Sequence, residues 1–249
     1  NIRRIEQVWQ PSSWIDINGN SFAHPSFKGN YEDAGKQIKN TGILTFATGD
    51  QIADLLYSAY CANSVHGTDE MQNIRNLMKQ RFILVGNRNF WTSEGVYVIQ
   101  DPQGIGRSQE LTINELESAL KKGKEMSWGG IRVSQDERVR FAPKDSYSFG
   151  NKTAEDFTKN GFVVASSSPE GAEKLGEVSK APEFRRYKPY IIGNDISEGQ
   201  TPVQRLSAVD DYNDRLNLNG NNWNDNNEGC AFGIVLLQVY NENLQKPLF

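Results

Sequence analysis

The chain has 249 residues, 37% of them hydrophobic and 23% charged, which is enough apolar material for a full core and excludes disorder along its whole length. Its formal net charge of −4 lacks the basic footprint that a phosphate backbone demands, so nucleic acid is not the expected partner. No apolar run approaches bilayer length, and the opening NIRRIEQVWQ lacks the apolar stretch of a signal peptide. The chain starts at Asn1 and not at Met, so residues upstream stay open, and localisation with them, at a cell surface or on a virion.

The first element read from periodicity is a helix over QIADLLYSAYCA, capped by Asp50, with Ile52, Leu55, Leu56 and Ala59 on one face. A second begins at Thr68, with Asp69 and Glu70 in its first turn and Met71, Ile74, Leu77 and Met78 at helical spacing. Strands follow at 82–86 and 95–100; the aromatic-polar NRNFWTSEG between them either adds to a binding face or, as the more economical account, closes a hairpin. GIGRSQ at Gly104 does not continue into a dinucleotide fingerprint, and GxxxxGK[ST] is absent. TINELESALKK opens a helix with Thr112 and Glu115 in capping-box spacing. GIRVS and RVRFA read as strands joined by the SQDE turn at Ser134, and a short helix starts at Thr153.

GFVVASS from Gly161 reads as a strand, and SPEGAEKLGEV as a helix with Ser168 as cap and Pro169 at its first position. FRRYKPY at Phe184 is a basic-aromatic cluster able to touch an anionic partner, with a solvated surface as the more economical account. Strands are expected in KPYIIGND, VQRLSAV, RLNLN and AFGIVLLQV. Helices before residue 180 and short antiparallel strands give an α+β fold, taken as one domain over 1–249 with an inserted middle lobe at about 104–198.

The stretch DDYNDRLNLNGNNWNDNNEG, 210–229, is dense in polar residues yet pinned at both ends to strand-like segments, which argues against a disordered linker. Its asparagines donate and accept hydrogen bonds, and Tyr212 and Trp223 add rigid amphipathic area, the mixture that loop paratopes use. Alternation in RLNLN puts Leu216 and Leu218 inward and presents Arg215, Asn217 and Asn219 on an exposed face. The expected ligand-binding set is Asp210, Asp211, Tyr212, Asn213, Asp214, Asn217, Asn219, Asn221, Asn222, Trp223, Asn224, Asp225, Asn226, Asn227 and Glu228. Tyr212 and Trp223 are its anchors, over a floor of Leu216, Leu218, Phe232 and Ile234. The plainer account of the asparagines is Asx-turns and local backbone bonds, and of Trp223 a place in the core.

The ending QRLSAVDDYNDRLNLNGNNWNDNNEGCAFGIVLLQ resembles the C-terminal segment of variable proteins diversified by diversity-generating retroelements; the RLNLNGNNW block and the closing G-x-A-F-G carry the likeness. Known members have a C-type lectin fold, in a wider branch that includes formylglycine-generating enzymes, and TFATGDQIADLLYSAY is loosely similar to a helix start of that branch. The resemblance implies a C-type-lectin-like fold and a hypervariable 210–228 surface, diversified at template adenines, that recognises a protein or cell-surface ligand without a cofactor. AAY codons for Asn would yield Asp or Tyr on single changes, the mixture found here.

Enzymatic and metal readings fare less well. Cys61 and His66 lie five residues apart, but Cys61 ends an amphipathic helix with no third orienting group in view. His24 and His66 without spaced carboxylates are nonspecific, and paired acids such as Glu110 and Glu115 need not face one another. Cys230 lacks the neighbouring cysteine that formylglycine-generating relatives use, and both cysteines are expected as free buried thiols. The chain is therefore expected not to be an enzyme. The competing class is a calcium-dependent carbohydrate binder or a hydrolase built on Asp210, Asp211, Asp214, Asp225 and Glu228, although no register of the segment supplies an EF-hand loop.

Overall fold

The computed structural model describes residues 9–62, 68–126, 129–222 and 229–236. The chain opens with β1 (Ser13–Ile17), β2 (Asn20–His24), β3 (Phe27–Gly29), α1 (Tyr31–Asn40) and β4 (Thr45–Phe46). Next come α2 (Gly49–Tyr60), α3 (Asp69–Gln80), β5 (Ile83–Trp91), β6 (Gly95–Gln100) and α4 (Ile113–Leu120). The middle holds β7 (Lys124–Glu125), β8 (Arg132–Val133), β9 (Val139–Pro143), β10 (Gly150–Asn151), α5 (Ala154–Thr158) and α6 (Gly161–Val178). The last strands are β11 (Tyr190–Ile192), β12 (Val203–Asp211), β13 (Leu216–Asn222), β14 (Gly229–Ala231) and β15 (Gly233–Leu236).

Local chemistry explains most helix starts. Thr68, Thr112 and Thr153 each accept a bond from the backbone N–H three residues on, which satisfies a donor that the first turn leaves unpaired. Asn30 does the same for α1, whose Tyr31, Ala34 and Ile38 form one buried stripe. At α2 the cap is Thr48, whose N–H donates to Gln51 Oε1 at 2.8 Å. The expected cap, Asp50, instead takes a bidentate pair from the buried Arg140 of β9, at 3.0 and 2.8 Å.

GFVVASS is a correction: it forms the first half of α6, not a strand. A continuous apolar run fits a buried helix as well as a buried strand. Asn160 supplies the deciding cap, accepting from Phe162 N at 3.1 Å, and the segment is buried all round. Ser168 breaks the helix at φ 62°, ψ 170°, and its Oγ accepts from Gly171 N, so the expected cap and Pro169 start hold beyond the kink.

The fold is α+β with two sheets. A small sheet runs β1-β2-β15-β4, and a large one β10-β11-β13-β12-β5-β6-β9-β8-β7, with β14 and β3 joined to it at β5. AFGIVLLQV is thus divided at buried Phe232, with β14 in the large sheet and β15 in the small one. Pairing is antiparallel except for β11 with β13 and β14 with β5. NRNFW is part of β5, and its hairpin with β6 closes where Thr92 N donates to Gly95 O.

Helices cover both faces of the large sheet. Ile83, Val85, Val209, Leu216 and Leu218 join Leu55, Ile74, Phe157 and Phe162 in the main core, beneath α2, α3, α5 and α6. On the opposite face Leu84, Leu206 and Ala208 pack with Tyr31, Ile38 and Phe46, while Tyr97 and Phe141 pack under Leu116 and Leu120 of α4. The 104–198 segment contributes strands to this sheet, and its Ile131, Phe162 and Leu175 share the core that holds Ile15 and Phe232. Among the described residues no helix is long and apolar enough to cross a membrane.

Candidate functional site

The β12–β13 hairpin carries the described part of the polar stretch. Its tip is a two-residue loop, Asn213 at φ 58° and Asp214 at φ 56°, closed by Tyr212 N donating to Arg215 O at 3.1 Å. Two left-handed residues in a row define a type I′ turn, whose twist matches the strands it joins. Asparagine tolerates that conformation better than most residues, so Asn213 has a backbone duty whatever else it does. Asn213→Ala is expected to lower stability by about 1 kcal/mol, and Asn213→Gly to leave it unchanged or raise it, as urea unfolding would report.

Tyr212, Asn213 and Asp214 are exposed, Tyr212 at 60%. Below them Arg215 lies over the Tyr190 ring at 4.4 Å and donates from Nη1 to Asn151 Oδ1 at 3.3 Å. Arg186 faces Asp214 at 3.9 Å and stands 5.4 Å from the Tyr187 ring centre. These side chains line a cleft of about 480 Å³ bounded by Arg186, Tyr187, Asn213, Asp214 and Arg215. A second polar hollow of about 440 Å³ includes Ser148, Asn151, Lys152 and Asn160, and the Arg215–Asn151 bond joins the two. The basic-aromatic cluster and the hairpin tip, separate motifs in sequence, therefore make one surface.

Along β13 the structure corrects the expected exposed face. Leu216 and Leu218 are buried as expected, but Asn217 is also buried, at 3% exposure, and so are Asp210, Asp211 and Asn222. The reason is topological: β13 is an interior strand between β11 and β12, with Tyr190 and Asp210 in register on either side of Asn217. Asn217 Nδ2 donates to Asp210 Oδ1 at 2.7 Å, while Asn217 Oδ1 has no partner among the described residues. Burial pushes the Asp210 carboxyl up to about 6 and outweighs the Asn217 bond and nearby Arg215, which pull it down. Burial also raises Asp211.

Asn219 and Asn221 are half-buried and make local bonds. Asn219 Oδ1 accepts from Asn221 N at 2.8 Å, and Asn221 Oδ1 accepts from Arg205 Nε at 2.9 Å and Asn194 Nδ2 at 2.8 Å. Trp223, Asn224, Asp225, Asn226, Asn227 and Glu228 lie outside the described residues, as does His66. The hairpin thus brings Tyr212, Asn213 and Asp214 to a displayed tip and places Asp210, Asp211, Asn217 and Asn222 beneath the surface.

Other candidates are not brought together. Asp210 and Asp211 are successive strand residues and point to opposite faces, so they do not chelate one ion. Among the described residues no three His, Cys, Asp or Glu side chains converge on a point that would hold a metal. Cys61 and Cys230 are free, and burial pushes each thiol up to about 11, which leaves it protonated and weakly nucleophilic at neutral pH. His24 sits 3.4 Å from Ser13 Oγ, and Glu115 accepts from its own cap, Thr112 Oγ1, at 2.6 Å.

No protein-family model matches the chain, and neither a curated protein nor a solved structure matches it.

Proposed function

We propose that this chain is a ligand-recognition protein of C-type-lectin-like fold that binds a protein or cell-surface partner without chemistry, through a surface diversified by a retroelement. The observation that carries the reading is the β12–β13 tip: Tyr212 is 60% exposed beside exposed Asn213 and Asp214, on a hairpin whose Leu216 and Leu218 are buried. Exchange at an exposed position with no special backbone conformation, such as Tyr212, usually shifts stability by within about 0.5 kcal/mol, whereas core exchange costs several, so Tyr212 can vary while Leu216 and Leu218 cannot. The resemblance of RLNLNGNNW and the closing G-x-A-F-G supports the family assignment, and the α+β architecture is compatible with it. In this reading Tyr212 and Asp214, with half-buried Asn219 and Asn221, are contact positions; Asp210, Asp211, Asn217 and Asn222 support them from below.

Sequencing the DNA around the coding region tests the proposal. The expected result is a non-coding near-copy of the segment for 210–229 beside a reverse transcriptase gene, with mismatches confined to template adenines. No such copy, or mismatches as frequent in the codons of Leu216, Leu218 and Gly220 as elsewhere, would overturn the diversified reading.

A further inference from the structure

We propose that the cleft beneath the hairpin tip receives an acidic, carboxylate-rich segment of a protein partner, and that Asp214 occupies the carboxylate position in the free protein. The inference rests on the recognition reading above and adds the chemistry of the partner.

Arg185, Arg186, Tyr187 and Lys188 are consecutive and exposed, between buried Phe184 and buried Pro189. The loop is therefore anchored at both ends while its cations face water. Arg215 adds a positioned guanidinium, held by the Tyr190 ring and by the bond from its Nη1 to Asn151 Oδ1. A planar fork held in this way is suited to a carboxylate. This concentration of cations stands out on a chain whose net charge is −4.

The one acid lining the cleft is Asp214, and its pairing with Arg186 is loose, at 3.9 Å with the two side chains 54% and 72% exposed. Such a pair contributes little, so an incoming carboxylate can take its place. Tyr187 and Tyr212 are two of the four exposed large hydrophobic side chains among the described residues; Tyr187 lines the cleft, and Tyr212 directly precedes Asn213, which lines it too. Aromatic and arginine side chains side by side are the usual anchors of protein recognition. A nucleic acid fits less well, because its affinity comes from neutralising many phosphates, and the rest of this chain is net negative.

The test is a fluorescence-anisotropy titration of the full chain with a labelled decaglutamate peptide. Comparators are decalysine, a sulfated heparin-type oligosaccharide and a single-stranded thymidine oligonucleotide. Decaglutamate is expected to bind in a saturable, salt-sensitive manner and decalysine not to bind. Replacing two of the three exposed cations, Arg186→Ala with Lys188→Ala, is expected to weaken binding about tenfold. Asp214→Asn removes the internal competitor and keeps a residue suited to φ 56°, so it is expected to tighten binding about threefold.

Absence of decaglutamate binding, or equal binding by the double variant with an unchanged circular dichroism spectrum, would overturn the proposal. Tighter binding of the sulfated sugar or the oligonucleotide than of the peptide would overturn it in favour of a different class of partner. Asp214→Asn without a gain would refute the role given to Asp214. A template repeat at the locus with no glutamate binding retires the acidic partner alone; glutamate binding with no repeat retires diversification alone.

Discussion

Asp210→Asn is expected to stabilise the fold at pH 7 by about 3 kcal/mol, the order of magnitude that a carboxyl raised from 3.8 to about 6 implies. The folded state holds the Asp210 proton more tightly than the unfolded chain does. Stability from this group is therefore greatest below the unfolded value, and it is lost as pH rises through the folded one, between about pH 4 and pH 6. The amide removes that slope. It also keeps an acceptor for Asn217 Nδ2, now bonded to Asp210 Oδ1 at 2.7 Å, and brings a donor within reach of Asn217 Oδ1, which has no partner among the described residues. Urea unfolding at intervals from pH 4 to pH 7 checks this: the two proteins should nearly coincide at the acid end and diverge toward neutrality. A variant less stable than the parent at pH 7 would mean that the ionised carboxylate is held favourably and that burial does not dominate.

How much of this was legible in the sequence depended on whether the signal was local. Thr68, Thr112 and Thr153 announce their helices because a cap bonds three residues away, and the Ser168–Pro169 start reads for the same reason. α1 carries the same chemistry in Asn30, Glu32 and Asp33, yet Gly35 sits at its centre and only Tyr31, Ala34 and Ile38 mark its apolar stripe, a weak signal for a helix. Gly35 is explained only by a tertiary contact, since a Cβ on it would lie 2.5 Å from Gly104 O. Alternation assigned Leu216 and Leu218 to the core, but alternation says which residues share a face and not whether the second face is also covered. Burial of Asn217 follows from β11 and β12 flanking β13, a pairing between segments distant in the chain. The same parallel β11–β13 pairing brings Arg186 and Tyr187 to the hairpin tip, which is why the cleft was not visible as a motif.

Gly220 marks the boundary of what the polar segment can vary, and Gly220→Ala is expected to cost about 2–3 kcal/mol, a loss of several degrees in Tm for a chain of this size. A Cβ at this position would stand 2.3 Å from Phe162 Cζ and 2.9 Å from Trp91 Cζ2. Neither ring has room to retreat: both are fully buried, their centres 4.9 Å apart, and Trp91 also packs edge-on against Tyr147 and Phe149. The Gly220 carbonyl is fixed as well, accepting from Trp91 Nε1 at 3.0 Å and from Asn89 Nδ2 at 3.1 Å, so shifting β13 would strand two buried donors. Thermal unfolding checks the loss, and Phe162→Leu supplies the control. If the ring is the obstacle, the double variant should be less destabilised than the two single changes added together. Additivity would place the strain in the backbone instead. Asn219→Ser, by contrast, alters a half-buried side chain and should stay within about 0.5 kcal/mol of the parent, the contrast that a scaffold built to exchange its surface around a fixed strand requires.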